Sequence, residues 1–127
     1  MKTHTPPQEF EKHKSQWLTV GEKILCHYGC PRNPEGIGVC IDLWKSDKAV
    51  DEEEVLNGLG FVFGELLAEQ YGGTWVIVED EFGKALGLRQ STNRYFFPLD
   101  AVSKRLRDAS EASREIPSLA SFYAENS

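Results

Sequence analysis

Between Pro7 and Tyr28 the apolar residues Phe10, Trp17, Leu18, Ile24 and Leu25 fall on one side of a helix, and Gly29 is placed to end it. Pro6 and Pro7 suit its start, because a proline in the first turn sacrifices no helical hydrogen bond. A second, longer helix is predicted after Asp51. Its carboxylate can cap the helix, while Glu52, Glu53 and Glu54 meet the positive end of the helix dipole. Val55, Leu59, Val62, Phe63, Leu66 and Leu67 form its apolar side, and Gly72-Gly73 ends it. Gly58, Gly60 and Gly64 each cost a helix about 1 kcal/mol relative to Ala. That cost makes sense if they admit another backbone at close range.

After this helix the period changes from that of a helix to that of a strand. "TWVIVEDEFGKALGLR" predicts a hairpin: Trp75 to Val78 as one strand, Asp80 to Gly83 as the turn, Ala85 to Leu88 as the return. A third strand is expected at Arg94 to Phe97. Pro98 then opens a last regular helix, with Leu99, Val102 and Leu106 inward and Lys104, Arg105 and Arg107 outward. The tail "IPSLASFYAEN" is expected to add one or two helical turns, folding Leu119 and Phe122 back onto the core. Residues 30 to 50 read as an irregular insert rich in Pro, Gly and charge, interrupted by "GIGVCIDLW". There Ile37, Val39, Ile41 and Leu43 alternate with Gly38, Cys40, Asp42 and Trp44 in strand fashion. The fold class is therefore α+β: two N-terminal helices, a three-stranded antiparallel meander and a C-terminal helix. One domain covers 1–127, with 1–6 flexible and 51–110 the best-defined part.

Length and composition fit this reading. A chain of 127 residues with seven Phe, four Tyr and three Trp can bury a core without metal or disulfide staples. The net charge is −6, and residues 35 to 70 hold nine acids against two bases. Such an excess repels phosphate backbones, which argues against a nucleic-acid partner. The N-terminal stretch lacks the apolar run of a signal peptide, and no segment approaches the length of a membrane span, so no membrane contact and a cytoplasmic location are expected.

From Gly60 to Arg105 the pieces "GFVFGELLAEQYGGTWVIVEDEFGKALGL" and "YFFPLDAVSKRL" carry a resemblance. They combine a glycine-containing helix, a strand beginning near a Trp, an Asp-Glu-x-Gly turn and an aromatic-Pro step into a helix bearing Lys-Arg. In these features the chain resembles a family of small uncharacterised bacterial proteins grouped as a domain of unknown function. The matching positions are Gly60, Gly64, Trp75, Asp80, Glu81, Gly83, Pro98, Lys104 and Arg105. The resemblance implies a fold and brings no reaction with it.

Candidate chemistry is concentrated in "CHYGCPRNPEGIGVC", which holds all three cysteines. A zinc site needs four converging N or S ligands, and Cys26, Cys30 and Cys40 with His27 or His13 could supply them. The spacing nevertheless lacks the tight Cys-x2-Cys pair of most structural sites. Ordinary thiols are the plainer reading, with a Cys30–Cys40 disulfide open under oxidising conditions. Catalysis by Cys30 is disfavoured, because the C-terminal end of a helix raises a thiol pKa. Asp80 and Glu81 fit the chemistry of a hairpin tip. Lys104, Arg105 and Arg107 fit a solvated helix face. No phosphate loop, dinucleotide fingerprint, nucleophile elbow or His-Glu metal helix occurs.

These features support a non-catalytic module that binds another protein, in one version an immunity or inhibitor protein, and that needs no cofactor. Polar contacts would come from Asp47, Asp51, Glu52, Glu53, Asp80, Glu81, Lys104, Arg105 and Arg107 around Trp44 as an exposed aromatic. A metal-binding or thiol redox-sensing module built on Cys26, His27, Cys30 and Cys40 is the alternative reading. An enzyme of unknown reaction is the third.

Overall fold

The computed structural model describes residues 2–91 and 93–126. Its elements run β1 (Lys2–His4), α1 (Phe10–His27), α2 (Pro34–Asp47), α3 (Glu52–Tyr71), β2 (Thr74–Asp80), β3 (Gly83–Ser91), β4 (Arg94–Phe96), α4 (Pro98–Arg107) and α5 (Ala112–Glu125). The strands form one antiparallel sheet in the order β1-β2-β3-β4. The α+β class stands, with three helices ahead of the hairpin instead of two, four strands instead of three, and two helices after them.

The largest correction concerns residues 30 to 50, where an irregular insert with a strand was expected and α2 is found. Asn33 caps this helix by accepting a hydrogen bond from the Gly36 N–H at 2.7 Å, and Pro34 occupies the first turn. Besides Gly36 and Gly38, the buried residues are Ile37, Cys40, Ile41 and Trp44, a helical stripe, while Val39 and Leu43 stay exposed. The alternation of Ile37, Val39, Ile41 and Leu43 suggested a strand, which the two nearby glycines weakened, and both Gly36 and Gly38 are packing glycines. A Cβ on Gly38 would lie 2.4 Å from the Ala112 carbonyl oxygen of α5.

Both termini also differ from expectation. Lys2–His4, expected to be flexible, pairs with Ile77 to Glu79 of β2. Pro6 and Pro7 precede α1 instead of entering its first turn, and the Phe10 N–H donates to the Pro7 carbonyl at 2.9 Å. The tail is a helix of 14 residues that buries Ile116, Ala120 and Tyr123 and leaves Phe122 exposed. Its first turn is capped by a residue of another element: the Asp42 carboxylate of α2 accepts from Ala112 N–H at 3.0 Å and Ser113 N–H at 2.8 Å. Lys45, one turn further along α2, donates to the carbonyls of Arg105 and Ser110, each at 2.8 Å. α2 thus holds both ends of the connection between α4 and α5.

α3 lies at the centre and begins as expected, with Asp51 accepting from Glu54 N–H at 3.4 Å. Every residue from Gly58 to Gly64 is buried, so this stretch has no solvent face. Three neighbours approach it at its glycines. Gly58 meets the backbone of Gly21 on α1, Gly60 meets Leu99 of α4, and Gly64 lies under the indole ring of Trp75 on β2. Trp75 in turn packs with Phe61 and Phe10, whose ring centroids are 5.4 and 5.9 Å away.

A Cβ on Gly21 would stand 2.3 Å from the Gly58 carbonyl oxygen, a backbone atom that cannot move independently. Gly21→Ala should therefore destabilise the fold by about 1–3 kcal/mol, despite alanine's better helix propensity. Urea unfolding of the variant beside the wild type measures the loss.

Candidate functional site

The residues singled out in the sequence divide sharply once placed. Trp44, expected as an exposed aromatic, is 2% exposed, and its Nε1–H donates to the Val50 carbonyl at 2.7 Å. It is a core residue with a satisfied polar tip, because it lies on the buried stripe of the helix α2 and not in an irregular insert. Asp51 is an N-cap, and Glu52 and Glu53 are exposed beside it in the first turn of α3.

Asp47 accepts hydrogen bonds from the Tyr28 hydroxyl at 2.6 Å and from the Ala49 N–H at 3.0 Å. It ties the end of α2 to the end of α1. These two hydrogen bonds hold its carboxyl below the ordinary range. Burial, followed by the hydrogen bond to Asp47, pushes the Tyr28 hydroxyl up to about 12.

The basic face of α4 is also largely committed. Arg105, which is mostly shielded, pairs with Glu115 of α5 at 2.9 Å and donates to the Ala101 carbonyl. Lys104 pairs with Asp100 one turn away on the surface at 3.2 Å, and Arg107 is exposed. A surface pair of the Lys104 type contributes little, whereas the Arg105 bridge joins two elements.

The proposed metal ligands do not assemble. Cys26 and His27 are exposed on the last turn of α1, and the His27 ring meets the Tyr28 ring edge-on at 4.8 Å. Cys40 is fully buried on α2 and Cys30 is half-buried in the loop between the helices. Among the described residues no three His, Cys, Asp or Glu side chains gather where they could hold a metal ion. Burial pushes Cys40 up to about 12 and raises Cys30 as well, the reverse of an activated nucleophile.

The hairpin tip behaves differently. Asp80 accepts from the Phe82 N–H at 2.8 Å, the turn role expected of it, and Glu81 is exposed beside it. Phe82 itself is 90% exposed. Sequence reasoning passed over this residue as part of a turn; an aromatic between an acidic pair and a glycine was the available signal. An open apolar niche of about 350 Å³ lies nearby, where Pro7 and Phe10 face Ile77, Ala85 and Leu86 of the hairpin. Glu9, His13 and Lys84 border it.

A second depression, of about 470 Å³, lies between the chain leading into α1, the start of β2 and α3. Its charged groups and the indole of Trp75 are paired among themselves. Lys14 bridges Glu65 at 2.9 Å and Glu11 at 3.2 Å, and the Trp75 indole N–H donates to Glu65. Burial lowers the Lys14 pKa, but the hydrogen bonds and charges of Glu65 and Glu11 outweigh it and leave the pKa raised. A lysine so held stays a cation and serves structure better than proton transfer.

Fold and site together define a helix-rich α+β domain with an exposed hairpin tip and, among the described residues, no assembled metal cluster. Residues 42–113 match the family described as Domain of unknown function (DUF3806), and the chain belongs to that family. No curated protein and no solved structure matches the chain. The matched segment starts at Asp42 and ends at Ser113, the two residues joined by the cap of α5. No helix among the described residues is long and apolar enough to cross a membrane.

Two outcomes follow from the committed side chains. Arg105→Ala should cost about 1–3 kcal/mol of stability and Lys104→Ala less than about 0.5, as read by urea midpoints. Asp47 has a depressed pKa, so its contribution is present above the ordinary carboxylate value and is lost as pH falls through the folded value. Asp47→Ala should accordingly melt below wild type at pH 7, with the gap narrowing as the medium is acidified below about pH 4.

Proposed function

We propose that this chain is a non-catalytic protein-binding module whose contact surface is the outer half of the β2–β3 hairpin. The supporting observation is Phe82, 90% exposed on a turn pinned by the Asp80 carboxylate and by Gly83 at φ 131°. An aromatic ring displayed on a fixed backbone loses little freedom when it enters a partner, which is the property of an interface anchor. Ala85 and Leu86 extend the surface from the tip into the apolar niche against Phe10 and Pro7. The result is an apolar centre with a polar border.

Charge selects the partner. Glu9, Glu79, Asp80 and Glu81 outnumber Lys2 and Lys84 around this surface. A protein with an apolar pocket bordered by Lys and Arg would complement it, and the acids would speed encounter. An inhibitor or immunity role in the cytoplasm is the specific form of this reading: a small acidic domain that occludes a basic surface.

Phe82→Ala should leave unfolding stability within about 0.5 kcal/mol of wild type, because the ring touches little. A partner retained from lysate by the immobilised chain, then purified, should bind Phe82→Ala at least tenfold more weakly by calorimetric titration. Glu81→Lys should weaken it too, and Lys104→Ala should not. Equal affinity of the partner for wild type and Phe82→Ala contradicts the proposal.

A further inference from the structure

Cys30 and Cys40 lie ten positions apart in sequence on different segments, yet both thiols rest against the end of α1, near enough for each to influence the other's ionisation. The Cys30 Sγ also reaches the Tyr28 carbonyl at 3.6 Å, and the Cys40 Sγ lies 4.0 Å from the Ile24 carbonyl. Both sulfurs therefore sit against the last turn of α1, one from the loop and one from the middle of α2. The loop is fixed there by its backbone as well, since the Cys30 N–H donates to the Leu25 carbonyl at 2.9 Å. Cys26 stands apart, exposed on α1.

We propose that Cys30 and Cys40 form a reversible intramolecular disulfide, a redox-operated staple joining the loop after α1 to the centre of α2. The oxidant class is a small disulfide such as oxidised glutathione. The Cys30 thiol, the more accessible of the two, loses its proton and attacks one sulfur of the oxidant, slowly because burial disfavours its thiolate. A mixed disulfide forms and one glutathione thiolate leaves. Cys40 then gives up its proton, attacks the Cys30 sulfur and expels the second thiolate. Two protein thiols are oxidised, one disulfide is reduced, and two glutathione thiols are produced. The bond joins two sulfurs that are both held against the end of α1 before oxidation. It shortens the unfolded chain's freedom between residues 30 and 40, so the oxidised form is the more stable.

Both cysteines precede the segment matched by the family, so the staple belongs to the part of this chain outside that match. It is also independent of the hairpin surface, which lies on other elements.

The test uses the full chain carrying Cys26→Ser, equilibrated under native conditions with oxidised glutathione, then alkylated in denaturant and weighed. The expected product is lighter by two hydrogens, takes up no alkylating agent, yields a cross-linked peptide containing residues 30 and 40, and returns to two free thiols with dithiothreitol. It should melt about 5–10 °C above its reduced form. Adding Cys30→Ser, a change at the half-exposed position, should abolish both the cross-link and the rise in Tm. Two alkylatable thiols after oxidation, or a glutathione adduct that persists on Cys30, would overturn the proposal.

Discussion

Everything in this fold is arranged around a helix that has no outside. From Gly58 to Gly64 α3 is buried on all sides, and three different elements press on it. A helix with ordinary side chains would keep its neighbours about 8–10 Å away. Glycine lets α1 come down to backbone contact at Gly58, seats Leu99 of α4 on Gly60, and receives the Trp75 ring of β2 on Gly64. About 1 kcal/mol of helix propensity is given up at each position. What is gained is one rigid junction between the helical layer and the sheet, and the direction in which the hairpin leaves the core is set there.

A second set of contacts closes the helical layer. Asp42 of α2 satisfies the first N–H groups of α5, and Lys45 satisfies carbonyls at the end of α4 and just beyond it. Arg105 and Glu115 then bridge α4 to α5. Charges that would be costly unpaired near the core are here hydrogen-bonded across elements. The matched segment runs from Asp42 to Ser113, and in this chain those two residues are hydrogen-bonded to each other.

The sequence was most legible where one signal stood without a rival. Asp51 with three glutamates announced α3, Pro98 announced α4, and the change to alternating pattern at Trp75 announced the hairpin. The reading failed at 34–47, where the alternation of Ile37, Val39, Ile41 and Leu43 was followed and the cap that Asn33 and Pro34 provide was not recognised. That error carried Trp44 to the surface, and it hid Asp42 and Lys45, whose roles depend on α2 being a helix facing α5. β1 is three residues long and is held by pairing to a distant strand, so no local pattern could announce it. Asp80 and Glu81 lie at the hairpin tip where the turn residues put them, while Phe82, flanked there by an acidic pair and a glycine, was passed over until its exposure was seen.

α3 acts as the hub on which the hairpin is seated, through Trp75 packed on Gly64. Native-state hydrogen exchange, resolved by residue, addresses this directly. Amides of residues 59–66 should exchange only through global unfolding, with those of β2 near Val76 close behind and those around Phe82 far faster. Exchange of the α3 amides through a local opening, at a lower free energy than the amides of α2 or α5, would contradict the account.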